Sequence, residues 1–215
     1  MIMEKPMPST FKQLLEEIAG EKAPGPAATF SAFHIYHAIG LMAEKPIGRS
    51  KLASRLNVGE GVVRTIIGRL KDAGLIITSR SGCKLTGKGL KLWREFAAIF
   101  QKKAEIGNNE LTSARYNIAF LVKDRGHKVK SGLEQRDAAV MAGAKGATTI
   151  VSQEGRFVIA SVSNDVKRDF PRAASQILRL LAPEDNDVII IASADTVIKA
   201  EHGAFAAAWT FLNDC

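Results

Sequence analysis

Cysteine is scarce in this chain of 215 residues: only Cys83 and Cys215 occur, and neither stands at a spacing that builds a zinc site or a disulfide framework. That fits a reducing cytoplasm and excludes the disulfide-stapled secreted classes. Long apolar runs are missing too. No stretch approaches the roughly 20 apolar residues of a membrane helix, and the N-terminus MIMEKPMPST holds no apolar segment of signal-peptide length. The expectation is a soluble cytoplasmic protein with no membrane partner. Repeats and low-complexity tracts are absent as well.

Catalytic constellations are equally sparse. No Ser/His/Asp order or activated cysteine emerges, so no nucleophile is paired with a base. His34 and His37 stand three apart on one helix without Cys, Asp or Glu at ligand spacing, and His127 and His202 are isolated. Glu201 is next to His202, but neighbours on a helix point apart. GCKLTGKG, Gly82 to Gly89, nearly satisfies the phosphate-loop spacing, yet Gly89 stands where a hydroxyl should hold magnesium. It reads as a strand leading into a glycine-eased helix start. The sequence therefore predicts no catalytic residue, metal or cofactor, and a protein that is not an enzyme.

What the chain does have is positive charge, unevenly placed. The net charge is +8, and between Lys45 and Lys103 stand 14 basic residues against Glu60, Asp72 and Glu95. A local excess of that size suits a polyanionic partner.

The hydrophobic pattern divides the chain. Thr10 and Gln13 make a capping-box pattern before a short amphipathic helix to Ala19, and GEKAPGPAAT then reads as a linker to about Thr29. Phe30 to Ala43 is apolar around much of its girth, as in a buried helix. Ser50 is a suitable N-cap for SKLASRL, and NVGE leads into a third helix striped by Val63, Ile66, Ile67 and Leu70 and closed by Gly74. LIITSRSGCKLT reads as two short strands around a tight turn, and the stripe Leu90, Trp93, Phe96, Ala97, Phe100 as a helix to about Lys103. That last helix either packs back on the others or pairs two subunits. Beyond EIGNNELTS the pattern gives a strand (116–122), helix (133–142), two strands joined by a hairpin (148–152, 157–163), helix (172–181), strand (188–192) and helix (196–212). The alternation Val158, Ala160, Val162 suggests a sheet wet on one face. The predicted class is α+β: a leading helix and linker (1–29), a winged helix-turn-helix (30–105) and a two-layer α+β sandwich (113–215).

The phrases RLKDAGLI and LTGKGLKL resemble the matching phrases of prokaryotic winged-helix regulators. That resemblance implies double-stranded DNA as partner, with the third helix in the major groove. Arg64 and Thr65 on that helix are then candidates for base edges, beside Gly61 and Gly68, while Arg69 and Lys71 flank them toward the backbone. Arg49, Ser50 and Lys51 at the second helix start, with Arg80 and Lys84 at the wing, are candidates for phosphates.

SGLEQRDAAVMAGAKGATTIVSQEGRF, following a winged helix, resembles an uncharacterised family of archaeal proteins whose C-terminal domain is classed as GAD-like within the DCoH-like folds. A ferredoxin-like or ACT-like module fits the same strand order. Arg136 with Thr148 and Thr149 is the candidate for a small effector pocket. The functional expectation is a DNA-binding transcriptional regulator whose C-terminal domain binds an effector or forms a homodimer. Two alternatives stay open: an RNA-binding, translation-linked module, and an enzyme carrying a winged-helix appendage.

Overall fold

The computed structural model describes residues 11–20 and 29–212. The chain forms two units, Met1–Glu95 and Phe96–Cys215.

In the first unit, α1 (Phe11–Ala19) buries Leu15 and Ile18. The capping role expected of Thr10 lies outside the described residues, as does the linker over 21–28. Helix α2 (Ala32–Glu44) buries Phe33, Ile35, Ala38, Ile39, Leu41 and Met42, the broad apolar girth its sequence predicts. Its N-terminus is closed by a reciprocal cap in which the Ser31 amide donates to His34 Nδ1 at 3.1 Å. Helix α3 (Arg49–Leu56) starts two residues earlier than expected, with Gly48 rather than Ser50 at the N-cap.

Helix α4 (Glu60–Asp72) buries Val63, Ile66, Ile67 and Leu70. At about 1.5–3 kcal/mol for each buried aliphatic side chain, that stripe outweighs the roughly 1 kcal/mol cost of Gly68 in the helix interior. The helix ends in a Schellman turn. Gly74 takes φ +71°, its amide donates to the Lys71 carbonyl at 2.8 Å, and the Leu75 amide donates to Leu70 at 2.9 Å.

The wing consists of β1 (Ile76–Ser79) and β2 (Gly82–Leu85), antiparallel, with Ser79 opposite Gly82. Ile47 extends it by pairing both ways with Cys83, at 3.0 and 2.9 Å. This bridge draws the segment before α3 against the wing. Helix α5 (Gly87–Ile99) then places Trp93 against Gly40 of α2, so the helix packs back on its own domain.

The unit boundary falls inside α5 and, with it, earlier than the sequence suggests. The stripe through Phe100 predicts a helix to about Lys103, but residues Phe100–Glu105 form strand β3, the edge of a five-stranded sheet. Phe100 is buried in either conformation, so the apolar pattern cannot distinguish them; the ladder with β4 (Tyr116–Val122) does.

After β4 come α6 (Leu133–Met141), β5 (Gly146–Gln153), β6 (Arg156–Val158), α7 (Val166–Asp169), α8 (Pro171–Leu181), β7 (Val188–Ala194) and α9 (Val197–Trp209). The sheet order is β3-β4-β7-β5-β6, with every pairing antiparallel. The α+β class and the helical-then-sheet order hold. The sheet, however, carries helices on both faces, one layer more than expected. Ala119, Leu121, Ile189 and Ile191 pack with Val166, Ala174, Ile177 and Leu181 of α7 and α8. On the other face α9 closes over β4 and β7, with Phe205 beside Phe100 and Gly203 against Ala192. NIAFLV and VIIIASA are the near-continuous apolar runs that such doubly covered strands require. Strand β6 is shorter than 157–163: the chain turns through Ser161 at φ +61°, and Ile159 bridges to Ser163.

Candidate nucleic-acid interface

Helix α4 turns about 100° per residue, so the buried stripe leaves Glu60, Gly61, Arg64, Thr65, Gly68, Lys71 and Asp72 along its outer side. Glu60, Gly61, Arg64, Thr65 and Lys71 are exposed, and Gly68 is half-buried. A Cβ at Gly61 or Gly68 would meet nothing within 4 Å. The missing side chains therefore serve no packing among the described residues. Thr65 is exposed, and its hydroxyl donates to the Gly61 carbonyl at 3.2 Å.

The wing lies beside the α3 N-terminus. A cleft of about 230 Å³ is lined by Gly48, Arg49 and Ile67 and by the wing residues Thr78 to Cys83, Arg80 among them. The amides of Arg49, Ser50 and Lys51 open α3 and have no acceptor within the helix. Burial pushes the Cys83 thiol above its ordinary range, and the nearby cations Arg49 and Lys71 pull it partly back. Arg49 is the first residue of α3 and Lys71 lies in the last turn of α4. Arg49, Lys51, Arg64, Lys71, Arg80 and Lys84 are all exposed.

Two of the sequence-predicted contacts are committed elsewhere. Arg69 lies on the flank of α4 that meets α1. One guanidinium nitrogen donates to the carbonyls of Ile18 (2.8 Å) and Gly20 (2.5 Å), and the group sits 5.0 Å over the Phe30 ring. Arg69 is a clamp on the N-terminal helix rather than a backbone contact. Ser50 donates its hydroxyl to Glu60 Oε1 at 2.7 Å, joining the starts of α3 and α4; its amide, not its side chain, is left for a phosphate. Three further lysines of the basic block are also engaged. Lys88 donates to the Ala73 carbonyl, Lys102 to Leu181, and Lys103 pairs with Glu201.

The phosphate-loop-like segment is accounted for in the same way. Thr86 donates to the Gly74 carbonyl at 2.7 Å and accepts from the Gly89 amide at 3.1 Å, so it caps α5 and latches the end of α4. A Cβ at Gly89 would fall 2.1 Å from the Leu75 carbonyl oxygen, which explains glycine at this position. Among the described residues no group of three or more His, Cys, Asp or Glu could hold a metal, and His34 is the α2 cap.

In the second unit, Arg136, Thr148 and Thr149 do not converge. Arg136 bonds its exposed neighbour Asp137 at 3.1 Å. Thr148 pairs across from Ile191 and Thr149 from Ile190, so the two threonines point to opposite faces of the sheet. A cleft of about 350 Å³ lies elsewhere, lined by Gly126, His127, Val151 to Glu154, Asp185 and Asn186. Beside it, buried Asp187 accepts from Lys123 (3.0 Å) and from the amides of Asp124 (3.1 Å) and Glu184 (2.8 Å). Burial alone would lower the Lys123 pKa, but its bonds to Glu184 and Asp187 raise it above the ordinary value. Asp124, Glu154 and Asn186 around the same cleft hold left-handed backbone, at φ +51°, +50° and +63°. Its members come from three loops, so no local pattern marks this cluster.

No helix among the described residues is long and apolar enough to cross a membrane. Residues 31–100 match the family model described as the CggR N-terminal DNA binding domain. Residues 113–211 match the model described as a domain of unknown function, DUF4443. Among solved structures, the hypothetical protein PH0730 from Pyrococcus horikoshii OT3 is similar over 85% of this chain and 92% of its own, at 27% identity and a TM-score of 0.68. No curated protein matches the chain. The helical first part and the sheet-bearing second part thus each correspond to a family model of their own.

Proposed function

We propose that this chain is a DNA-binding regulator that lays α4 in the major groove of duplex DNA and rests the wing and the α3 start on phosphates. The open outer side of α4 carries this reading, with Gly61 and Gly68 bare and Arg64 exposed between them. The similarity of 31–100 to a DNA-binding domain supports it. Arg64 reads a guanine edge and the Thr65 methyl a neighbouring base. Arg49, Lys51, Lys71, Arg80 and Lys84, with the free α3 amides, neutralise phosphates. The second unit binds an effector or forms a homodimer, and the cleft between Gly126 and Asn186 is a better effector site than Arg136 with the threonines. We class that unit as GAD-like, assign no residue a catalytic role, and take the cytoplasm as the place of action.

Binding of the full chain to duplex DNA, measured across salt concentrations with folded RNA as competitor, tests the reading. Affinity should fall steeply with salt, by about one unit of log–log slope for each phosphate neutralised. Lys84→Ala should weaken all duplexes alike, whereas Arg64→Ala should flatten discrimination between them, a loss of about 1–3 kcal/mol at one base pair. Salt-independent binding, or displacement by folded RNA at lower concentration than by duplex, overturns it.

A further inference from the structure

Glu60 is the acidic residue at the N-terminal end of the α4 outer side, which also carries Arg64, Lys71 and, at its far end, Asp72, in a unit where Arg49, Lys51, Arg80 and Lys84 are exposed as well. A carboxylate there repels the phosphates that its neighbours attract. Its position at the first residue of α4 complements the exposed amides of the helix, but that alone requires no partner on another helix. Glu60 has one: the Ser50 hydroxyl of α3 donates to Oε1 at 2.7 Å, and both residues are exposed. The bond holds the carboxylate in one orientation before any ligand arrives and leaves Oε2 to accept. In the major groove the donor a carboxylate matches is the exocyclic amine of cytosine, and the first residues of a recognition helix are the ones that reach base edges. Arg64 stands one helical turn further along the same side.

We infer that Glu60 is a specificity-determining residue, accepting the amino group of a cytosine at a fixed offset from the guanine read by Arg64, with Ser50 as its positioning residue. The inference rests on the DNA-binding reading above. Glu60 also disfavours sequence-independent binding, because without a cytosine donor its charge faces phosphate and acceptor edges.

Selection of bound duplexes from a randomised pool by the full-length protein tests this, with thermal unfolding used to check that each variant is folded. The wild type should prefer cytosine at one position by roughly 5- to 100-fold. Glu60→Ala should lose that preference alone and bind unselected duplex several-fold more tightly. Glu60→Gln should move the preference to adenine, whose N6 and N7 match an amide. Ser50→Ala should blunt the cytosine preference with Glu60 still present, and Ser50→Thr, which keeps the hydroxyl, should restore it. If the wild type selects a site and Glu60→Ala selects the same bases, the assignment to Glu60 is wrong while DNA binding stands. If the wild type retains no duplex, the DNA-binding reading fails and this inference with it.

Discussion

Gly68 and Arg69 are adjacent on α4 and face different surroundings. A Cβ at Gly68 would meet open space, whereas the Arg69 guanidinium is held by two carbonyls near the end of α1 and by the Phe30 ring. Their substitutions should separate stability from docking. Gly68→Leu should leave the melting temperature within a few degrees of wild type, because it removes the roughly 1 kcal/mol helix penalty of glycine without a clash, and should impair DNA binding at the groove-facing side. Arg69→Ala should do the reverse. Losing hydrogen bonds from a charged donor and a cation–π contact costs about 2 kcal/mol, read by thermal unfolding, while the salt dependence of DNA binding stays unchanged. From the sequence the two residues looked like parts of one surface, since a charge on a helix flank does not reveal which element will cover it.

At the scale of elements, the junction between α4, the wing and α5 depends on close backbone approach. Thr86, Lys88 and Gly89 all meet the turn that ends α4. Gly89→Ala would set a methyl 2.1 Å from the Leu75 carbonyl oxygen if nothing moved. The turn must shift, so the variant should be destabilised by about 1–3 kcal/mol in thermal or denaturant unfolding. Gly82 is constrained likewise, at φ +117° with a would-be Cβ 2.6 Å from the Ile47 backbone. Both glycines were visible in the sequence as a turn and a helix start. Their closeness to Leu75 and Ile47 was not, because it arises only when segments apart in the chain are packed. The same distinction applies to Ser50, whose type suits a helix N-cap but whose hydroxyl is taken by Glu60 across the α3–α4 pair.

At the scale of the whole molecule, α9 covers one face of the sheet and carries His202, whose pKa burial lowers below its ordinary value of 6.5. Above that pH the imidazole is neutral in folded and unfolded chains alike and stability is unaffected. As pH falls below it, the unfolded chain binds the proton first, so stability declines until the folded imidazole is protonated too. Unfolding followed from pH 7 to pH 5 should show this loss, and His202→Gln should reduce it. The sequence by itself determined the α+β class, the order of helical and sheet-bearing parts, the α4 stripe and the wing, because periodicity and turn residues act over a few positions. It also placed the excess positive charge in the first part. The tertiary structure decided that Phe100 opens a strand, that helices cover both faces of the sheet, and that Thr148 and Thr149 face apart. It decided as well which cations remain exposed: Arg69, Lys88, Lys102 and Lys103 are drawn onto carbonyls or a carboxylate, while Arg49, Arg64, Lys71 and Arg80 stay on the outer surface. Charge is fixed by composition, but its availability depends on acceptors that only folding brings within hydrogen-bonding distance.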